Sequence, residues 1–168
     1  EFEDLLARQE TLNAIGTALS SERDIDALLE RILEAARELV DADGGTLYLV
    51  KDDALAFQVL RNDSLGYSYG GRDGEPVAFP PLPLHLPDGR DNDTMVAAVA
   101  ALCGRTINIE DAYAAEGFDF SGTRRIDAST GYRSQSFLTV PMKDHDGQVV
   151  GVLQLINARD PEGAIHAF

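Results

Sequence analysis

The sequence predicts an α+β domain built on an antiparallel sheet, and three observations carry this. Two N-terminal segments repeat apolar residues at helical spacing. The later apolar runs are short, β-branched and joined in pairs by tight turns, Lys51-Asp-Asp53 and Asp144-His-Asp-Gly147. The chain has 168 residues, 44% hydrophobic and 26% charged, the size and balance of one globular domain. Strands linked by hairpins pair antiparallel, and helices must then cover at least one face of the sheet.

Phe2, Leu5, Leu12 and Leu19 fall on a 3,4 spacing that Gln9 and Gly16 complete, widened by Leu6 and Ile15. Two readings of this first helix stay open, a short coiled-coil seam and a helix covering a core. A second helix begins after Asp24, a good N-cap, and repeats apolar residues from Ile25 to Val40. Gly44-Gly45 is expected to end it. Thr46–Val50 and Leu55–Val59 then read as a hairpin. Residues 62–92 are loop-rich, and Pro80, Pro81 and Pro83 confine any strand there to an edge. Asp93 or Thr94 is expected to cap a short helix that carries Cys103 and stops at Gly104. A short strand over 106–109, an irregular stretch over 110–127, a short helix over 124–129 and a strong hairpin over 136–156 complete the chain.

Lys and Arg total 14 against 29 Asp and Glu, a formal net charge of -15. Such a surface repels phosphate backbones and anionic headgroups, so neither a nucleic-acid nor a membrane partner is expected. The one cysteine excludes an internal disulfide and a multi-cysteine metal site. With no secretory signal and no apolar run of about 20 residues, the expected location is the cytoplasm. His85, His145 and His166 lack a partner at metal-ligand spacing and read as solvated. Cys103 reads as a buried structural cysteine, and Arg124-Arg125 as local ion pairs with Asp127. Phe118, Phe120, Asp127, Thr130, Tyr132 and Ser134 meet beside two strong strands. Rings, hydroxyls and a carboxylate there suit a small-molecule pocket or a core plug, and both readings stay open. No nucleophile stands beside a base, so no catalytic residue is expected.

Asn108-Ile-Glu-Asp-Ala-Tyr113, Thr130-Gly-Tyr-Arg-Ser-Gln-Ser-Phe-Leu-Thr-Val-Pro-Met142 and Gly147-Gln-Val-Val-Gly-Val-Leu-Gln-Leu-Ile-Asn157 together resemble a GAF domain. The likeness is to the GAF modules of cyclic-nucleotide phosphodiesterases and cyclases and of bacterial HD-GYP-type sensors, with Glu116–Thr123 nearest the bacterial branch. It implies a PAS-related six-stranded antiparallel sheet with helices on one face and a ligand pocket on the other. Residues 1–20 would be a signalling helix. Residues 21–168 would be the GAF domain, stopping before its closing helix. By the same resemblance the pocket is lined by Thr46, Leu60, Arg61, Val96, Ala97, Asp127, Thr130 and Ser134, with Phe120 or its rival Phe118 as the aromatic residue. The resemblance departs after Asn157. Ala158 stands where cyclic-nucleotide-binding members carry Lys, and Phe168 ends the chain before their Asp-Glu pair.

The expected function is therefore regulatory sensing of a small molecule, a cyclic nucleotide being one candidate, with no cofactor or metal. The expected partners are an output domain elsewhere in the parent protein and a second copy bound through the helices. The alternative is a ligand-free domain acting as a dimerisation and relay module. A sulfoxide-reducing role is disfavoured, because a lone Cys103 cannot resolve its own sulfenic acid.

Overall fold

The computed structural model describes residues 2–168. Phe2 starts the first helix, but its place in the apolar seam rests on a side chain outside the described ones. The elements are α1 (Phe2–Ser21), α2 (Ile25–Val40), β1 (Ala42–Lys51), β2 (Ala54–Asn62), β3 (Tyr67–Gly70), β4 (Leu82–Pro83), α3 (Val96–Cys103), β5 (Ile107–Ile109), α4 (Ser121–Thr130), β6 (Phe137–Lys143), β7 (Val149–Arg159) and β8 (Ile165–His166). One sheet runs β3-β2-β1-β7-β6-β5, with β4 on the start of β2 and β8 on the end of β7. Every strand pairing is antiparallel. The α+β architecture and the six-strand path are those expected.

Alternation along the strands sorts side chains to two faces. On one face Leu47, Val59, Leu153 and Leu155 pack with Leu29 and Leu33 of α2. On the other, Tyr48, Leu55 and Val152 pack with Ala97, Ala98 and Ala101 of α3. A third cluster joins Val96, Phe120 and Phe137 beneath α4. Register shifts break the alternation at two places, one between Met142 and Lys143 in the β6–β7 pair and one, a bulge, in the β1–β2 pair that borders the cavity. Leu47 pairs with Val59 and Tyr48 with Phe57, which leaves Gln58 as the extra residue. Phe57 and Leu60 are thereby brought to the same face as Tyr48.

Helix α2 starts as expected, with Asp24 Oδ1 accepting from the N–H of Asp26 at 3.0 Å. Its end differs. Asp41, left-handed at φ 49°, caps the helix, and Gly44 and Gly45 lie inside β1. A Cβ on Gly44 would sit 2.9 Å from Asn62 Nδ2, and one on Gly45 would sit 2.8 Å from Leu33 Cδ1. Close packing, not a helix stop, requires these glycines. The apolar positions Ile25, Leu39 and Val40 stay exposed.

Helix α3 also departs at its start. Met95 is the N-cap residue and offers no capping side chain. Thr94 instead donates its hydroxyl to Asn92 Oδ1, and Asp93 makes no cap. Cys103 is exposed, not buried. Helix α4 begins three residues earlier than expected, because Asp119 Oδ1 accepts from the Ser121 N–H. Both helices stop at a left-handed glycine, Gly104 and Gly131, as expected. The Pro-rich run supplies only β4, paired with the first residues of β2 at the sheet margin. Among the described residues no helix is long and apolar enough to cross a membrane.

Candidate ligand cavity

A cavity of about 370 Å³ lies between the sheet and the helices α3 and α4, within the usual range for small-molecule sites. Its floor is one face of the central strands. Thr46 and Tyr48 of β1, Gln154 and Ile156 of β7 and Phe137 of β6 recur there at two-residue spacing and cross-strand pairing. Val96 and Ala97 of α3, Phe120 just before α4, and Thr123 and Asp127 of α4 form the roof. Tyr67 of β3, with Phe79 and Leu82 from the segment that follows it, closes one end.

Aromatic rings run through the wall. Tyr48 lies 4.7 Å from Phe57, and Phe57 lies 5.3 Å from Phe79. Phe120 lies 5.5 Å from Phe137, the rings tilted by 41°, on the other side. Polar groups are fewer and anchored. Gln154 Nε2 donates to Thr139 Oγ1 at 3.1 Å. Asp127 is buried and accepts from the Ser134 N–H and hydroxyl, each at 2.8 Å, and from the Tyr113 hydroxyl at 2.6 Å. This bond to Asp127 is the leading cause that raises the Tyr113 pKa above its ordinary value.

Behind one wall sits a hydrogen-bond hub. Tyr132, which lines the cavity, donates its hydroxyl to Asp43 at 2.6 Å and accepts from Asn157 Nδ2 at 2.8 Å. Burial first, then the Asp43 carboxylate, pushes the Tyr132 phenol far above its ordinary pKa. Asp43 pairs with Arg159, which also reaches Asp41 and Asp63. Arg159 stands one residue past Ala158, the position at which the resemblance implies Lys.

Of the ten residues expected at the site, Thr46, Leu60, Arg61, Val96, Ala97, Phe120, Asp127 and Ser134 border the cavity. Phe118 and Thr130 do not. Phe118 packs behind Phe120 at 6.4 Å, so Phe120 is the aromatic wall residue. Thr130 turns its hydroxyl back to the Ile126 carbonyl in the last turn of α4. Arg61 borders the cavity, yet its guanidinium is directed to the α2 side, bonding Glu30 at 2.5 Å and the Tyr69 carbonyl at 2.7 Å. Neighbouring strand residues point to opposite faces, so Leu60 and Arg61 cannot both present side chains to one cavity. Arg124 and Arg133 lie against the Tyr113 ring, at 5.5 and 4.1 Å, and among the described residues neither Arg124 nor Arg125 forms the expected ion pair with Asp127. His85 is not simply solvated, being held between Asp53 at 2.7 Å and Asp91 at 3.2 Å. Among the described residues no group of three or more His, Cys, Asp or Glu is placed to hold a metal.

Sequence reasoning missed Tyr48, Phe57, Tyr67, Phe79 and Gln154. Tyr48 and Gln154 were within reach, since each stands two residues from a position on the floor. Phe57 was hidden by the bulge at Gln58, and Phe79 by the aperiodic strap that carries it.

Comparison with known proteins agrees with this architecture. The family profile described as GAF domain matches residues 24–167, and the chain belongs to the GAF family. It is 29% identical over 149 residues to the dual 3',5'-cyclic-AMP and -GMP phosphodiesterase 11 of Drosophila melanogaster, covering 86% of this chain and 10% of that protein. The chain thus spans about a tenth of the length of that relative. Among solved structures it resembles the GAF domain of a phosphoenolpyruvate-protein phosphotransferase from Coxiella burnetii, with TM-score 0.67, 15% identity and coverage of 96% and 80% of the two chains. It also resembles a free methionine-R-sulfoxide reductase from Neisseria meningitidis, with TM-score 0.60, 20% identity and coverage of 89% and 72%. At such identities the structural likeness establishes the fold alone. GAF domains are typically regulatory sensors in signal-transduction proteins, although the fold also serves that reductase.

Proposed function

We propose that this chain is the small-molecule-sensing module of a larger cytoplasmic signalling protein and is not itself an enzyme. The observation that carries the reading is the aromatic-walled cavity, open enough for a ligand and lacking a nucleophile paired with a base. Thr46, Leu60, Val96, Ala97, Phe120, Asp127 and Ser134 are the residues through which a ligand is felt. Ligand contact with α3 and α4 biases the position of these short helices, and the hub at Tyr132 and Asp43 carries that bias toward α2. The output domain lies elsewhere in the parent protein. The relative's name makes a phosphodiesterase one candidate output and a cyclic nucleotide one candidate ligand.

The sulfoxide-reductase alternative is weakened by the chemistry of Cys103. It is the one cysteine of the chain, exposed at the end of α3 and outside the cavity wall. Reducing a sulfoxide through thiols requires a second thiol to release the oxidised one. Detectable turnover of free methionine sulfoxide would overturn this part of the reading.

Thermal melting in the presence of cyclic AMP, cyclic GMP and a metabolite panel tests sensing. A ligand at a hundred times its Kd stabilises by about 2.7 kcal/mol, so at least one compound is expected to raise Tm by several degrees. No shift with any compound at millimolar concentration would count against a sensor. A second reading, a ligand-free dimerisation module, draws on Leu5 and Leu12 of α1, which stand 65% and 53% exposed. In either reading a second copy covers this helix.

A further inference from the structure

The cavity wall carries an uneven balance of charge. Three charged residues border it, Arg61, Asp119 and Asp127. The one cation is spent elsewhere, since the Arg61 guanidinium is bound by Glu30, Glu34 and three backbone carbonyls. Asp127 is 4% exposed, and among the described residues all three of its hydrogen-bond donors are neutral. A carboxylate offers about four acceptor positions, so one position on Asp127 is left open. Asp119 stands exposed at the mouth, its pKa lowered by hydrogen bonds from Ser121 and further by the charges of Arg124 and Arg125, which are exposed and do not border the cavity. It therefore stays ionised at neutral pH.

Opposing these are the first turns of α3 and α4, which also border the cavity. Each helix N-terminus counts as roughly half a positive charge. Together they offset about one of the two carboxylates. The other remains, inside a chain of net charge -15. Tyr48, Phe57 and Phe79 also line the cavity, and aromatic rings carry negative potential on their faces, which attracts cations and neutral π systems.

We propose that the cavity selects a planar aromatic ligand that is neutral or positively charged, and discriminates against anions, the phosphate of a cyclic nucleotide included. The proposal rests on the sensor reading above and narrows the ligand class of the same site. The N–H groups at the two helix starts then serve carbonyl or ring-nitrogen acceptors of an uncharged heterocycle, which need no counter-charge.

Matched probes that share a ring and differ in charge test it on the intact chain. Ligand-observed NMR titrations would compare indole, tryptamine and indole-3-acetate, and separately adenosine and cyclic AMP. At an effective dielectric near 20, a unit charge at about 8 Å is worth more than tenfold in affinity. Indole and tryptamine are therefore expected to bind at least about tenfold more tightly than indole-3-acetate, and adenosine more tightly than cyclic AMP. Gly122→Phe is the location control. Gly122 borders the cavity with open space where a Cβ would stand, so the variant folds, fills the mouth and loses the probes. Asp119→Asn keeps the acceptor for the Ser121 N–H and is expected to narrow the gap between the charged probes.

Anion binding as tight as that of the neutral partner would overturn the proposal and leave the sensor reading standing. Probe binding that survives Gly122→Phe would also overturn it, because the selectivity would then belong to the outer surface. Failure of every probe at millimolar concentration would overturn the charge rule and weaken the sensor reading with it.

Discussion

Asn157 ties β7 to the 132–136 segment from one buried position, and through the Tyr132 hydroxyl to Asp43 of β1. The Asn157 backbone is left-handed at φ 59°, a conformation that Asn tolerates better than most residues. Its side-chain oxygen accepts from the N–H groups of Gln135 and Ser136, and its amide donates to the Tyr132 hydroxyl and the Arg133 carbonyl. Replacing Asn157 by Ala leaves buried donors and acceptors unpaired and is expected to cost about 2–4 kcal/mol in urea unfolding. A loss under about 1 kcal/mol would show that the hub is not structural. Gly45→Ala tests the packing reading of the glycine pair. The added methyl meets Leu33 of α2, the Gln154 carbonyl and Leu155 within 3.2 Å, so about 1–3 kcal/mol of destabilisation is expected by the same measurement.

At the scale of elements, His85 fastens two connections, the β1–β2 turn and the segment between β4 and α3. Its ring joins Asp53, in the turn between β1 and β2, to Asp91, on the approach to α3. The hydrogen bond to Asp53 raises the His85 pKa above its ordinary 6.5, against a smaller desolvation effect and with the charges of Asp53 and Asp91 adding to the rise. A raised folded-state pKa means stabilisation that is complete below the unfolded value and fades as pH climbs through the folded one. Wild type is therefore expected to melt above His85→Gln near about pH 5.5, with the difference closing by about pH 8.5. A constant difference across that range would contradict the clasp. Helix α1 makes its own test. Its few contacts are with α2, and Leu5 and Leu12 face solvent. The double change Leu5→Ser, Leu12→Ser is expected to weaken self-association in sedimentation at least about tenfold while leaving the dilute-solution Tm unchanged. Equal sedimentation of the two proteins would remove α1 from the interface.

For the molecule as a whole, the sheet and its order of elements were legible because β1, β6 and β7 are β-branched runs with sharp turns between them. The roof residues Val96, Ala97, Phe120 and Asp127 were legible through family resemblance. The aromatic wall was not. One extra residue, Gln58, inverts the alternation of β2 and conceals Phe57, and the course of the strap bearing Phe79 is set by tertiary contact with Tyr69 and Phe57. Arg61 was assigned to the cavity by family resemblance, which does not show that its guanidinium is held by Glu30, 31 residues away on α2. That single reassignment changes the electrostatics of the site, since it leaves the carboxylates of Asp119 and Asp127 without a cation from the wall. The most direct measurement is a crystal structure of the protein purified from its native host, with the electron density of the cavity as the readout. The account predicts a flat, non-anionic small molecule between Tyr48, Phe57 and Phe120. A collapsed interior, with side chains occupying the space and no ligand density, would contradict it.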